Sequence, residues 1–204
     1  MSLVKRTGCT VATVRWEELF ADLDAEFDAL EAVELAAEVS DRTRRELARI
    51  RLVDRLRAAA DGTISVTVGG PDRGQTITGR LLDVGADWIL LGRTDLPLEV
   101  LVPIAAVDTV TGLPAGATEP GSEGYVQARL SLAYVLRGIA RDRAVVVVAI
   151  RDGGVLTGTI DRVGADYVDL AEHAVDEPRR PGSVCGERTV PFAAVLSVQR
   201  AASS

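Results

Sequence analysis

The stretch Thr78–Leu91, TGRLLDVGADWILL, decides the predicted fold because it returns at Thr157–Leu170 as TGTIDRVGADYVDL. Further along the chain, Val102–Val107 (VPIAAV) is matched by Val190–Val195 (VPFAAV). Two matching segments in the same order indicate that a whole folding unit is repeated, and not one short motif. We therefore predict that the chain is an internal duplication.

Each repeat is predicted to contain five short strands. In the first repeat, Ile64–Val68 alternates apolar and hydroxyl side chains, which is the period of a half-buried strand. The next strand contains Gly79, and the second repeat has Gly158 at the matching position. A residue without a Cβ permits a sharp bend within a strand. The remaining strands of the first repeat are predicted at 88–91, 98–102 and 105–110, the last two separated by Pro103.

The predicted fold is therefore α+β and mostly β. It consists of two small, bent, five-stranded barrels, each preceded by a helix, and a further acidic helix at the N-terminus. The predicted boundaries are 1–40 for the tail and acidic helix, 41–113 for the first helix and barrel, 114–122 for a Pro- and Gly-rich linker, and 123–204 for the second helix and barrel. The helix of the second repeat is predicted at 125–141, and an insertion lengthens that repeat at 171–188.

This order of elements resembles the Sm-like barrel family. The resemblance covers about 42–113 and 125–200, and it implies ring assembly through strand edges and binding of single-stranded RNA. The RNA-binding Arg-Gly pair of that family is absent here, because the two hinges read Val102-Pro-Ile-Ala and Val190-Pro-Phe-Ala. The whole chain also resembles uncharacterised proteins of GC-rich Gram-positive bacteria, which implies no activity.

Residues 16–39 have the periodicity of one amphipathic helix. Its apolar stripe is Trp16, Leu19, Phe20, Leu23, Phe27 and Leu30. From Glu17 to Asp41 there are ten carboxylates and no lysine or arginine. We predict that the stripe mediates self-association or docks a protein partner; the alternative is that it packs on the chain's own barrels.

The charge reverses after Asp41, because 42–57 contains seven arginines. Ser40 or Asp41 is predicted to cap a second helix, unless one long helix runs through this point. The alternative function is nucleic-acid binding by this basic helix, with Arg42, Arg44, Arg45 and Arg49 as candidate phosphate contacts. The net charge of −7 disfavours that alternative.

Asp87 and Asp166 follow the same Val-Gly-Ala in the two repeats. Such a carboxylate could accept from a base edge or bind a metal ion. The favoured interpretation is that each bonds the N–H groups of its own turn.

The insertion contains the single histidine, His173, together with Cys185 and the pair Arg179-Arg180. A nucleophile and base pair would need an orienting third group, which the sequence does not supply. We therefore predict a surface histidine, a solvated arginine pair, and reduced thiols at Cys185 and Cys9.

No apolar run reaches the roughly 20 residues of a membrane span, and the first residues lack the apolar core of a secretory signal. The sequence predicts a cytoplasmic protein without a cofactor or a metal. Its predicted role is a non-enzymatic interaction or scaffold module, either a homo-oligomer or bound to a protein partner.

Overall fold

The computed structural model describes residues 16–70, 74–118, 130–175 and 184–201. The chain divides into two units, Met1–Arg49 and Ile50–Ser204. Both predicted repeats lie almost wholly in the second unit. The predicted positions Cys9, Arg179 and Arg180 lie outside the described residues.

The first unit contains one long helix, α1, at Trp16–Leu47. Of the two alternatives at Ser40 and Asp41, the structure has the continuous helix and not the cap, because α1 continues through both residues. Their side chains instead contact Arg44: its Nη2 donates to the Ser40 hydroxyl over 3.0 Å, and its Nη1 lies 3.5 Å from a carboxylate oxygen of Asp41. Pairs at these spacings stabilise a helix interior, so they extend α1 past the predicted boundary.

Among its described residues, the second unit begins with the short α-helix α2, Leu52–Ala58, and contains ten strands, a third α-helix and 3-10 turns at Ile104–Ala106 and Phe192–Ala194. The strands of the first repeat are β1 (Thr63–Val68), β2 (Gln75–Val84), β3 (Trp88–Arg93), β4 (Glu99–Pro103) and β5 (Val107–Thr111). The second repeat has α3 (Leu132–Arg141) and the strands β6 (Val145–Ile150), β7 (Val155–Val163), β8 (Tyr167–Glu172), β9 (Gly186–Pro191) and β10 (Val195–Arg200).

Helix α3 starts later than predicted. Ser131 is its N-cap, with a β-region backbone and a side chain that accepts from the N–H of Tyr134. A serine in this conformation accepts a hydrogen bond from an N–H of the first turn, and the helix therefore begins at the next residue. Of the predicted helical stretch 125–131, only 130 and 131 are described, and neither is helical.

All ten strands form one antiparallel sheet in the order β5-β1-β2-β3-β4-β10-β6-β7-β8-β9. The prediction of two separate five-stranded barrels is therefore not confirmed, and this sheet is not closed. The halves join where β4 pairs with β10. A strand edge presents unpaired N–H and C=O groups, and this pairing satisfies one edge of each half within the same chain.

Each half has its own apolar core, with its helix on it. Val53 and Leu56 of α2 belong to the first core, and Leu132 and Leu136 of α3 belong to the second. The clusters also cross the junction. Trp88 and Leu101 of the first half are buried in the second core, and Leu196 of the second half is buried in the first.

The two predicted bend glycines lie where the backbone of a neighbouring strand comes close. A Cβ on Gly79 would lie 2.5 Å from the carbonyl oxygen of Gly92, and a Cβ on Gly158 would lie still closer to the carbonyl oxygen of Ala171. The ladders of β2 and β7 shift register just beyond these glycines, after Leu81 and after Ile160. Such irregularities commonly accompany a bend in a strand, and the bends at the two glycines stay a prediction.

Candidate interaction surfaces

The junction between the two halves is held by a short ladder and an apolar interface. Leu101 faces Val198 and Val100 faces Gln199 across β4 and β10. Trp88 and Leu101 are 4% and 3% exposed, so this part of β3 and β4 is shielded from water by the second half. Burial of apolar side chains therefore supplies much of the stabilisation of the junction.

Polar contacts fix the geometry of the same junction. An Asp87 carboxylate oxygen accepts from the backbone N–H of Leu132, the first residue of α3, over 2.7 Å. The indole Nε1 of Trp88 donates to the carbonyl oxygen of Leu130 over 2.7 Å. The favoured interpretation, that the Asp87 carboxylate bonds the N–H groups of its own turn, is thus wrong. Its partner lies 45 positions along the chain, which no local pattern could indicate.

The sheet ends at β5 on one side and at β9 on the other. Aligned on the repeated sequence, β9 corresponds to β4, and β5 corresponds to β10. The two outer strands are therefore the counterparts of the two strands that pair at the junction. The burial patterns differ, because β4 has one exposed residue whereas β9 has one buried residue.

Several junction residues have counterparts of a different chemical kind at the outer ends. On the β8–β9 side, Asp166, Tyr167, Asp169 and Thr189 correspond to Asp87, Trp88, Leu90 and Leu101. On the α2–β5 side, Leu52, Arg55, Ala59 and Val110 correspond to Leu132, Val135, Ile139 and Val198. The acidic residue after Val-Gly-Ala is retained, whereas most of the apolar contacts become polar or smaller.

Two cavities show this change. At the junction, a cavity of about 160 Å³ is lined mainly by apolar side chains, among them Leu90, Val135 and Ile139. Beside the outer strand β9, a cavity of about 400 Å³ is lined mainly by polar side chains, among them Arg162, Asp169 and Thr189. The Thr189 hydroxyl donates to Asp169 over 2.6 Å. Arg162 lies 4.0 Å from the same carboxylate.

Helix α1 presents most of the predicted docking residues to solvent. Phe20, Leu23, Phe27 and Leu30 are all exposed, at 57%, 40%, 65% and 57%. Trp16 and Leu19 lie in α1, but their side chains are outside the description.

The arginine run is divided between two helices, so the predicted single basic helix is wrong. Arg42, Arg44 and Arg45 lie in the last turns of α1 and Arg49 follows them, and all four are exposed. Arg42 bonds Glu46 over 3.1 Å. Arg57 lies in α2 instead, and its Nη1 donates to the buried Asp54 over 3.4 Å.

The prediction of a surface histidine is wrong. His173 is 4% exposed. Its Nδ1 lies 2.8 Å from the carbonyl oxygen of Ala174, and its Nε2 lies 2.8 Å from the hydroxyl of Thr159. Because a carbonyl only accepts, Nδ1 carries a proton and donates, and in the neutral ring Nε2 accepts from Thr159. Both ring nitrogens are thus used in structural hydrogen bonds.

The predicted insertion at 171–188 also contains Cys185, which lies in the described part of the chain. Cys185 is exposed, and its N–H donates to the carbonyl oxygen of Glu172 over 2.8 Å.

Within the described ranges, no three His, Cys, Asp or Glu side chains come together as a possible metal site. Among the described helices, none combines the length and apolar character needed to cross a lipid bilayer.

No family model, no curated protein and no solved structure matches the chain. The resemblance to Sm-like barrels therefore stays a prediction. The function has to be argued from the chain's own surfaces.

Proposed function

We propose that the protein is a non-enzymatic interaction module that self-associates head to tail through the outer ends of its sheet and docks a partner through α1. The self-association is argued from the two strands at the ends of the sheet. Strands β9 and β5 are the sequence counterparts of β4 and β10, which pair with each other inside the chain. A second copy would present to β9 the strand β5, which is the sequence counterpart of the β10 that pairs with β4.

The retained aspartate supports this arrangement. Asp87 uses its carboxylate to bond the N–H of Leu132 in the other half. Asp166 has kept the corresponding main-chain contact, since its carbonyl oxygen accepts from Phe192 over 2.7 Å, as that of Asp87 accepts from Ile104 over 2.9 Å. The counterpart of Leu132 is Leu52, in the repeat that has the other free end. In the proposed assembly, Asp166 of one copy bonds the N–H of Leu52 in the next.

One pair of substitutions also fits a head-to-tail contact. Leu90 and Val135 line the same cavity at the junction. Their counterparts are Asp169 and Arg55, which have opposite charges. Arg55 is exposed, so its guanidinium is accessible to a second copy. Within the chain, Arg55 donates a hydrogen bond to the Pro114 carbonyl oxygen over 3.2 Å.

The differences between the junction residues and their counterparts at the outer ends indicate how strong the head-to-tail association is. At the outer ends Leu101 becomes Thr189 and Ile139 becomes Ala59, which removes apolar area from the contact. An accessible ion pair adds only about 0–1 kcal/mol. The proposed association is therefore weaker than the junction, and it depends on protein concentration and on salt.

A charge exchange tests the proposal. At low salt, sedimentation equilibrium of the full chain should show an average mass that rises with concentration. Asp169→Arg and Arg55→Asp should each reduce that rise, and the double variant should restore it because the opposite charges are again present. A monomer mass at every concentration, or a double variant no better than the single ones, would contradict it.

Nucleic-acid binding is a second candidate function, supported by the exposure of Arg42, Arg44, Arg45 and Arg49 on and just after α1. Opposing it, Arg42 and Arg44 already pair with Glu46 and Asp41. A gel shift of RNA or DNA at low salt that is lost on changing these arginines to glutamine would support this function. No shift at low salt would exclude it.

A further inference from the structure

The exposed apolar residues of α1 form a seam of the kind that a second helix covers. Phe20, Leu23, Phe27 and Leu30 follow one another at steps of three, four and three residues. This is the average spacing of 3.5 that keeps positions a and d of a coiled coil on one line. A shallow cavity of about 100 Å³ lies along this seam, lined by Leu23, Phe27 and Leu30 together with Glu26.

Three carboxylates flank the seam. With Phe20 and Phe27 at position a, Asp24 and Glu31 occupy position e, and Glu26 and Val33 occupy position g. All three carboxylates are exposed. In a coiled coil the e and g residues face the partner's flanks and determine which helix can pair.

These flanks disfavour a second copy of α1 as the covering helix. In a parallel pair Glu26 of one copy would face Glu31 of the other, and in an antiparallel pair like positions would face like positions. Both arrangements bring carboxylates together, which is destabilising. A staggered antiparallel pair fares no better, because the next a and d positions of α1 are Glu34, Ala37, Asp41 and Arg44.

We propose that this seam binds an amphipathic helix of another protein that carries apolar residues at a and d and lysine or arginine at e and g. The inference rests on the proposed role as an interaction module, but it concerns a surface separate from the sheet ends. Charge complementarity selects the basic partner and repels a second α1. The seam spans only four apolar positions, so binding is moderate and falls with salt.

The test uses the full chain and two synthetic helical peptides that share leucine at a and d. One peptide has lysine at e and g, and the other has glutamate there. Fluorescence anisotropy should show binding of the lysine peptide and little binding of the glutamate peptide. Phe27→Glu places a charge in the seam and should weaken binding of the lysine peptide by about tenfold or more.

A matched pair of charge reversals separates a specific seam from general acidity. Glu26→Lys changes a flanking position, whereas Asp28→Lys makes the same charge change at position b, away from the seam. Glu26→Lys should weaken the lysine peptide several times more than Asp28→Lys and should improve binding of the glutamate peptide. Circular dichroism checks that both variants keep their helix content.

Equal effects of the two reversals, or equal binding of the two peptides by the unchanged protein, would overturn the inference. So would the absence of binding to the lysine peptide at low salt. These outcomes are distinguishable from failure of the head-to-tail association. Glu26→Lys leaves the sedimentation behaviour unchanged, and Asp169→Arg leaves peptide binding unchanged.

Discussion

The carboxylate of Asp87 and the backbone N–H of Leu132 lie 2.7 Å apart and join the turn before β3 in the first half to the start of α3 in the second. The first N–H groups of a helix have no partner within the helix, and a carboxylate there also interacts favourably with the helix dipole. This side chain, together with the bond from Trp88 to Leu130, thus helps to fix the position of α3 relative to the first half of the sheet.

Replacing this side chain should destabilise the fold, whereas replacing its counterpart should not. Asp87→Ala is expected to lower the free energy of unfolding by about 1 kcal/mol, the usual cost of a lost helix-terminal acceptor. Asp166→Ala, which is exposed in a single copy, should change it little and instead reduce self-association. Urea unfolding at low protein concentration and sedimentation measure the two effects. Equal losses of stability would contradict the assignment.

Side chains at the two strand glycines should not be tolerated. Gly79→Val and Gly158→Val are each expected to destabilise by about 1–3 kcal/mol, because the Cβ would press on a neighbouring strand's carbonyl. Gly158→Val should cost more, since its approach is closer. The control is Gly138→Ala in α3, where a Cβ meets nothing within 4 Å. That change should leave the thermal midpoint unchanged or raise it.

His173 should act as a structural residue. His173→Ala removes the imidazole ring and both of its hydrogen bonds, and it leaves the buried hydroxyl of Thr159 without this bond. We therefore expect a loss of about 1–3 kcal/mol in the free energy of unfolding. Cys185→Ser, at an exposed position of the same connection, should change stability by much less. Thermal unfolding of both variants decides the point, and an unchanged midpoint for His173→Ala would contradict the burial.

The arginines of the basic run should divide into two groups. Arg57→Met breaks a contact with the 3% exposed Asp54 and should destabilise by on the order of 3 kcal/mol, because the carboxylate stays buried. Arg42→Met removes an exposed pair within α1 and should cost at most about 0.5 kcal/mol. Chemical denaturation of the full chain, followed by far-ultraviolet circular dichroism, compares the two, and similar costs would show that the burial of Arg57 has no energetic effect.

Local patterns in the sequence were sufficient for much of the strand layout. The alternation in 64–68, the position of Gly79 and the hinge at Pro103 each depend on neighbouring residues, and the structure has strands β1, β2 and β4 at these places. Periodicity also indicated α1, but it left open whether that helix ends near Ser40 or continues. A serine and an aspartate that favour helix caps also pair with an arginine three or four residues away, and the sequence alone does not decide between the two uses.

The sequence by itself thus determined the order of the strands in the first repeat and the helix that precedes each repeat's strands, because hydrophobic period is a local property. Only the tertiary structure decided that β4 pairs with β10, that Asp87 bonds Leu132 and that His173 is buried against Thr159. The first two of these contacts join distant parts of the chain, and the third joins residues 14 positions apart. Asp87 and Asp166 follow the same Val-Gly-Ala, so the local signal at the two aspartates is the same, and which of them bonds a helix N–H depends on which surfaces meet in three dimensions.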